Sequence, residues 1–273
     1  MSDSEARAGD PVRDWPRSRA PEDLIRPHQV PGGSLLVLAP HADDDILATG
    51  GLIRVHVERG DRVRVLFLTD GSRGGFRTEV DREYVALRER EARAGLAELG
   101  VTDVGFLGHP DQGLLGAEEE LGGQIAGELL TFRPDLVTVT SPFEVHPDHL
   151  AAGAALARAL DAVELDPRVL LVEIGAPCVA NWILDISGGD LMERKKRALA
   201  CHASQLADAD FEDKMLGLNR YRTVNCGERT VIYAEAYLEL RSADLAPLVG
   251  SLRHLLPLVE RARPSATWPA EQG

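Results

Sequence analysis

The chain has 273 residues, 44% of them hydrophobic, and a formal net charge of -14 from 44 acidic and 30 basic side chains. This charge argues against a nucleic-acid or anionic-membrane surface, because both require clustered lysine and arginine. Three cysteines without a paired pattern favour a reducing, cytoplasmic compartment, and no apolar stretch is long enough to span a bilayer.

The chain divides by composition into three segments. Residues 1–30 are rich in proline, arginine and acidic residues without a hydrophobic period, so we expect a mobile arm or a surface strap. Residues 31–262 alternate strand and helix patterns and are expected to form a single domain, followed by a tail over 263–273. Such alternation predicts an α/β, Rossmann-like doubly wound fold, with a largely parallel sheet flanked by helices and a C-terminal α/β elaboration.

The predicted elements follow one another along the domain. Apolar and β-branched runs predict strands over 35–39, 63–68, 104–107, 136–140, 169–174, 182–186 and 231–240. Amphipathic patterns predict helices over 46–60, 81–99, 118–132, 150–162, 190–202, 211–221 and 243–259. Ser187 is in position to cap the fifth of these helices.

Polar side chains follow the first predicted strand at once. His41, Asp43 and Asp44 come directly after Pro40, while Asp45 is placed to cap the next helix. Ligands bind at the carboxyl ends of strands in open α/β sheets. Neighbouring carboxylates repel one another unless a positive group lies between them. A divalent metal ion is the simplest group that fits this run.

A second polar cluster, His146-Pro147-Asp148-His149, follows the strand predicted over 136–140. The carboxyl ends of parallel strands point the same way, so the two clusters can converge. Two histidines and one aspartate with an open fourth position are a common set for catalytic zinc. Mixed imidazole and carboxylate ligands also suit this borderline ion. The sequence therefore predicts a metal site shared by the two clusters.

The paired motifs resemble the LmbE-like, or PIG-L, superfamily of zinc-dependent N-acetylglucosaminyl deacetylases. The first family motif reads [A/P]-H-P-D-D, with Ala42 here in place of the proline, and the second reads H-x-x-H, which begins here at His146. The family's Arg-x-x-Glu pattern begins at Arg88, and an aspartate in a later loop matches Asp111. The segment Ser204-Gln205-Leu206 is also similar to bacterial members.

The resemblance implies a role for each residue of the two motifs. Three residues would ligate one Zn²⁺ per chain: His41, Asp44 and His149. Fe²⁺ is also compatible with these ligands. Asp43 would be the general base on the attacking water. His146, as an imidazolium, would stabilise the tetrahedral oxyanion or protonate the leaving amine, and Asp148 would orient His146 or a metal ligand.

Substrate contacts also follow from the resemblance, which implies that Arg88 and Asp111 bind sugar hydroxyls. The chain departs from the family's mycothiol branch at one position, where that branch has a tyrosine two residues before the first histidine of the second motif. That position is Glu144 here. We expect Glu144 to add negative charge at the mouth of the site, favouring a cationic or neutral aglycone over a phosphorylated one.

The predicted activity is metal-dependent removal of the N-acetyl group from an N-acetylglucosamine-type aminosugar or its conjugate, with acetate and a free amine as products. The expected partner is a soluble small molecule rather than nucleic acid, and assembly into a homo-oligomer is compatible with the sequence. Another mononuclear or dinuclear metallohydrolase, an amidase or a phosphoesterase, is the alternative. A non-enzymatic sugar- or nucleotide-binding module is a third, although no G-x-G-x-x-G follows the first strand.

Overall fold

The computed structural model describes residues 27–262 apart from 75, 76, 78, 208 and 225, and beyond residue 252 it describes only the helix backbone. The strands are β1 (Leu35–Ala39), β2 (Val63–Thr69), β3 (Asp103–His109), β4 (Leu136–Thr140), β5 (Arg168–Val172), β6 (Trp182–Asp185) and β7 (Ala234–Arg241). The helices are α1 (Asp44–Arg59), α2 (Arg82–Leu99), α3 (Glu118–Phe132), α4 (Pro147–Asp161), α5 (Leu191–Ala200), α6 (Ala203–Leu206), α7 (Phe211–Tyr221) and α8 (Ser242–Ala262).

The strands form one seven-stranded sheet in the order β3-β2-β1-β4-β5-β7-β6. The first five of these strands pair in parallel, and β7 runs antiparallel to both β5 and β6. This arrangement confirms the predicted α/β fold with a largely parallel sheet and a C-terminal elaboration.

Helices cover both faces of the sheet, so β1 has no solvent-exposed side. Leu35 and Val37 pack in a core with residues of α1, α2 and α5. Leu36 and Leu38 point the opposite way, into a second core with residues of α3, α4 and α8. The alternation is that of a strand between two apolar layers, and it explains the unbroken apolar run in the sequence.

The strand order reverses between β1 and β4. From β1 the chain winds outward through β2 to β3, and from β4 it winds the opposite way to β5. Doubly wound sheets open a crevice outside the carboxyl ends of the strands at such a reversal. The loops 40–43 and 141–146, which carry the two sequence motifs, lie at this crevice.

Two predicted helix starts and one predicted helix cap differ from the structure. Helix α1 begins at Asp44, so Asp45 lies in its first turn and does not cap it. Helix α4 begins at Pro147 rather than residue 150, because proline is pre-organised for the first helical position. Ser187 does not cap α5; its hydroxyl instead accepts the N–H groups of Ile232 and Tyr233 at 2.7 and 2.9 Å.

The two ends of the chain are described only in part. Residues 1–26 and 263–273, which include most of the expected arm and the whole expected tail, lie outside the described residues. Pro27 forms a bridge with Ile183 of β6, and the N–H of His28 donates to the Ile183 carbonyl at 2.9 Å. The division into arm, domain and tail stays a prediction. Within the described part, none of the helices has the length and apolar character needed to cross a membrane.

Candidate active site

The two motif loops fold back on themselves at the ends of β1 and β4. In the first loop the N–H groups of Asp43 and Asp44 donate to the His41 carbonyl at 3.1 and 3.3 Å, and the Asp44 carboxylate accepts the His41 N–H at 2.9 Å. In the second loop the N–H of His149 donates to the His146 carbonyl at 3.1 Å. Since β1 and β4 are neighbours in the sheet, these turns bring the side chains of the two motifs together.

Three side-chain atoms, one each from His41, Asp44 and His149, form a nearly equilateral triangle that we call the donor cluster. His41 Nδ1 lies 3.2 Å from Asp44 Oδ2 and 3.3 Å from His149 Nε2, and the last two atoms are 3.3 Å apart. Tetrahedral coordination with bonds of about 2.0–2.1 Å separates its ligands by about 3.3 Å. The donor cluster therefore fits one divalent ion and leaves a fourth position open.

The other ring nitrogen of His41 faces two carboxylates. His41 Nε2 lies 3.2 Å from Asp148 Oδ2 and 3.3 Å from Asp111 Oδ1. Asp148 is itself buried and accepts the N–H groups of Gln112 and Leu114 at 2.7 and 3.0 Å. A carboxylate behind a metal-binding histidine fixes the ring orientation and the tautomer. Of the two targets expected for Asp148, the geometry favours the metal-ligand candidate, His41.

Asp43 is buried beside the donor cluster and points toward an arginine. Its Oδ2 lies 3.6 Å from Arg88 Nη2, and the same nitrogen donates to the Ala42 carbonyl at 2.8 Å. Burial raises the pKa of Asp43 to about 6 despite the Arg88 guanidinium, and the charge of Asp44 adds to the rise. A proton acceptor works best when its pKa is near the working pH. Arg88 thus belongs to the wall of the site, not to the solvated face of α2.

His146 caps helix α4 with its imidazole. Its Nδ1 accepts the N–H of Asp148 at 3.2 Å, and its ring meets the His41 ring edge-on with centroids 4.7 Å apart. Burial lowers the pKa of His146, as do the nearby charges of His41 and His149. A ring that accepts at Nδ1 is neutral and carries its proton on Nε2, so this geometry favours a neutral His146 over the expected imidazolium.

Glu144 does not lie at the mouth of the site. It is only 3% exposed, and its carboxylate accepts the N–H groups of Ile174, Gly175 and Ala176 at 2.5, 3.1 and 3.3 Å. The expectation that Glu144 adds negative charge at the mouth is therefore wrong. The carboxylate is turned inward, toward the loop that follows β5.

A cavity of about 330 Å³ opens beside the donor cluster. Seven of the eight predicted site residues line it: His41, Asp43, Asp44, Arg88, Asp111, His146 and His149. The eighth, Asp148, lies behind His41. Residues that the sequence did not assign to the site also line it: Leu47, Arg73, Gly74, Gln112, Ile174, Gln205, Ala209 and Phe211. Apart from the Ser204-Gln205-Leu206 match, the sequence has no signal that separates them from other loop and core residues.

One part of the cavity wall, which we call the Arg88 wall, consists of the lining residues Gly74, Arg88 and Gln205, together with Tyr84, which contacts Gln205. The Gln205 side chain donates from Nε2 to Tyr84 Oη at 2.6 Å. A Cβ atom on Gly74 would lie 2.5 Å from Arg88 Nη1, 2.8 Å from Tyr84 Oη and 2.9 Å from Gln205 Nε2. A side chain at position 74 would displace the ends of these three side chains, because the backbone there rests directly on them.

Asp111 lines the cavity, and each of its carboxylate oxygens already contacts another group of the protein. Oδ1 faces His41 Nε2 at 3.3 Å, and Oδ2 accepts the N–H of Arg73 at 3.0 Å. The N–H of Asp111 donates to Asp70 Oδ1 at 3.1 Å, so Asp70 holds this loop in place. Each carboxylate oxygen can accept a second hydrogen bond, and the contact of Asp111 with a sugar hydroxyl stays a prediction.

Comparison with known proteins shows which family the chain belongs to. The family model PIG-L, GlcNAc-PI de-N-acetylase, matches residues 36–160, which span both motifs. A probable N-acetyl-alpha-D-glucosaminyl L-malate deacetylase 2 of Bacillus anthracis is 31% identical over 192 residues, covering 63% of this chain and 81% of that protein. The chain belongs to the PIG-L family. The resemblance drawn from the two motifs is confirmed.

Further relatives of this PIG-L protein support the same family assignment. The diacetylchitobiose deacetylase of Thermococcus kodakarensis is 32% identical over 195 residues, covering 65% of this chain and 72% of that protein. Among solved structures, the N,N'-diacetylchitobiose deacetylase from Pyrococcus horikoshii is similar with a TM-score of 0.65 and 26% identity, over 77% of this chain and 84% of that chain. The chain is a PIG-L family deacetylase with a His/Asp cluster able to hold a metal ion.

Proposed function

We propose that this chain is a zinc-dependent hydrolase that removes the N-acetyl group from an N-acetylglucosamine-type aminosugar or its conjugate, releasing acetate and a free amine. The donor cluster is the observation that carries the proposal, because its three atoms lie 3.2–3.3 Å apart with the Asp43 carboxylate beside them. An amide is a poor electrophile, so its hydrolysis needs both a polarised carbonyl and an activated water.

The donor cluster would hold one divalent ion per chain. Zn²⁺ suits two imidazoles and one carboxylate, and Fe²⁺ is compatible with the same set. Such an ion polarises the amide carbonyl and lowers the pKa of a neighbouring water from about 15.7 to about 7. These properties supply the two requirements of amide hydrolysis.

A second ion would have to share ligands with the first. Within the described residues, the groups of side chains close enough to hold an ion are His41 with His146 and His149, and His41 with Asp111, His146 and Asp148, so each shares His41 with the donor cluster. In the arrangement that we propose, the proton of His41 lies on Nε2 between Asp111 and Asp148, which leaves no lone pair on that nitrogen. We therefore favour one ion over two, and hydrolysis of an amide over the dinuclear phosphoesterase alternative.

The residues around the donor cluster have distinct roles in the proposal. Asp43 takes the proton of the attacking water, and Arg88 holds Asp43 in place through their 3.6 Å contact. His146 donates a hydrogen bond from Nε2 to the oxygen that becomes negative in the tetrahedral intermediate, and the proton taken up by Asp43 passes to the leaving amine. A neutral donor aimed at a developing oxyanion is an established means of stabilisation. Asp148 orients His41.

The substrate class follows from the relatives and from the cavity. The relatives from Bacillus anthracis and Thermococcus kodakarensis are named for an N-acetyl-glucosaminyl malate and for diacetylchitobiose, which are both N-acetylated aminosugars. Their substrates differ in the attached group. Arg88 Nε has no hydrogen-bond partner within the described part of the chain, and we propose that Arg88 and Asp111 bind the sugar hydroxyls. The identity of the attached group stays open.

A substrate panel tests the proposal. Purified protein is incubated with N-acetylated sugars and conjugates, acyl-amino acids and phosphoesters, and released amine, acetate and phosphate are each quantified. We expect equal amounts of amine and acetate from the N-acetylglucosamine-type members, at a rate about 10²–10⁴-fold lower with the Asp43→Asn variant, which controls for contaminating enzymes. Release of phosphate, or activity confined to acyl-amino acids, would overturn the proposal.

A further inference from the structure

Glu144 is a buried carboxylate in the loop between β4 and α4, and the first turn of α4 carries His149. Its side chain has no exposed surface. One oxygen, Oε1, accepts the N–H groups of Ile174, Gly175 and Ala176, and Oε2 shares the Gly175 N–H at 3.1 Å. Oε1 therefore takes most of these hydrogen bonds, and Oε2 retains capacity for another donor.

The oxygen Oε2, which can accept another hydrogen bond, faces His149. Oε2 lies 3.5 Å from His149 Nδ1, a buried nitrogen that has no hydrogen-bond partner within the described part of the chain. The opposite nitrogen of the ring, Nε2, belongs to the donor cluster, 3.3 Å from Asp44 Oδ2. The imidazole of His149 thus lies between a carboxylate and the proposed ion.

The position of one proton decides whether His149 can bind a metal. A neutral imidazole carries one N–H and one lone pair. A proton on Nδ1 points at Glu144 and leaves the Nε2 lone pair directed into the donor cluster. A proton on Nε2 blocks that lone pair and sets the bare Nδ1 against a carboxylate, where two acceptors face each other.

We propose that Glu144 is a positioning residue for the metal site, which keeps the proton of His149 on Nδ1 and so leaves Nε2 free for the ion. The inference rests on the proposed metal site and adds a residue outside its ligands. Asp148 faces His41 in the same way on the other side of the site. Each histidine ligand then has its own carboxylate, an arrangement that orients the ring and raises its basicity.

Glu144 also anchors the loop at Ile174–Ala176. A test must therefore separate its effect on the His149 tautomer from its support of this loop. Glu144→Gln makes this separation, because the amide oxygen can take the place of Oε1 and keep the three backbone hydrogen bonds. The amide NH₂ then takes the place of Oε2 and donates to His149 Nδ1. That contact favours the tautomer with the proton on Nε2, which cannot bind the ion.

The test compares zinc dissociation constants, measured by competition with a chelator, for the wild type and two variants. We expect zinc to bind Glu144→Gln about 10–100-fold more weakly than the wild type, the usual effect of losing such a partner. Glu173→Gln is the matched control, since Glu173 is buried in the same loop region and accepts the Cys178 N–H at 2.9 Å. The control should keep the wild-type affinity, because Glu173 binds Arg222 and no atom of the donor cluster.

The outcomes separate this inference from the proposed function. Equal zinc affinity in the wild type and Glu144→Gln would reduce Glu144 to a loop anchor. A wild type that binds no zinc would instead overturn the metal site itself. If Glu144→Gln fails to fold, a crystal structure of the zinc-loaded wild type tests the role of Glu144 instead. Zinc on His149 Nε2 with Glu144 within about 3.2 Å of Nδ1 supports the inference, and ligation through Nδ1 contradicts it.

Discussion

The donor cluster and the Arg88 wall border the same cavity but are assembled in different ways. The donor cluster comes from the segments that follow the neighbouring strands β1 and β4, with His41 in the loop after β1, Asp44 at the start of α1 and His149 in the first turn of α4. The Arg88 wall combines the loop after β2, helix α2 and the short helix α6, with Tyr84 and Gln205 separated by 121 residues. The sheet thus positions the proposed metal site, while peripheral elements form the wall that we propose to contact the substrate.

This difference predicts two kinds of defect. Changes in the donor cluster should remove the metal and the activity together. Changes in the Arg88 wall should leave the metal bound and alter substrate binding or the rate alone. Metal content and kinetic constants measured on the same preparations separate the two regions.

His149→Ala should have the largest effect. It removes one corner of the donor cluster, whose atoms lie 3.3 Å from His149 Nε2. Elemental analysis should then show most of the metal lost, and activity should fall to background. His28→Ala, which removes an imidazole stacked on Trp182, should keep both. Full metal occupancy in His149→Ala would remove this residue from the ligand set.

Asp43→Asn should come next. The residue lies beside the donor cluster and is assigned to proton transfer, so the variant should keep its metal and lose about 10²–10⁴ in rate. Asp190→Asn, at an exposed position of the α5 N-terminus, serves as the control and should be fully active. Loss of metal as complete as in Asp44→Asn would show that Asp43 is a ligand and that the two roles are wrongly assigned.

Gly74→Ala should disturb the Arg88 wall without touching the donor cluster. Its Cβ would lie 2.5 Å from Arg88 Nη1 and 2.9 Å from Gln205 Nε2, so both side chains must move. A displacement of this size can cost up to about 10² in kcat/KM, and metal content should stay the same. In Gly123→Ala the new methyl group meets no atom within 4 Å, and this variant should behave as wild type. A Gly74→Ala variant with wild-type kinetics would argue against a substrate role for the wall.

Gln205→Ala should have the smallest effect of the four. The amide uses one end to bind Tyr84 at 2.6 Å, and helix α6 is fixed because Ser204 donates from its N–H and hydroxyl to Glu91 at 2.9 and 2.6 Å. We propose that the other end of the amide contacts the substrate. Losing one such hydrogen bond costs about 0.5–1.5 kcal/mol, which appears as a higher KM with normal metal content. Gln124→Ala, outside this cavity, is the control, and an unchanged KM in Gln205→Ala would assign Gln205 to packing.

Local patterns in the sequence predicted the fold and the convergence of the two motifs, while the choice of His41, Asp44 and His149 as metal ligands came from the family resemblance. An apolar run followed by His41 and Asp44 marks a strand end, and the same holds for His149 after β4. Proline at position 147 was a usable sign that α4 starts there, which would have identified His146 as its N-cap.

The inward turn of Glu144 and the placement of Gln205 could not be predicted in the same way. Glu144 is held by backbone N–H groups of the loop after β5, about thirty residues away along the chain, and backbone donors leave no mark in a sequence. Gln205 reaches the cavity only because α6 packs on α2. Contacts of this kind depend on how separate elements pack, and no periodicity encodes them.

Zinc titration of metal-free protein tests the central claim most directly. Acetate release is measured with the substrate that gives the most amine in the panel, as zinc is added in known amounts. We expect no activity at the start, a linear rise, and a plateau at about one ion per chain, with no rise for Asp44→Asn. Full activity in the metal-free protein, or a rise that continues to two ions per chain, would contradict this claim.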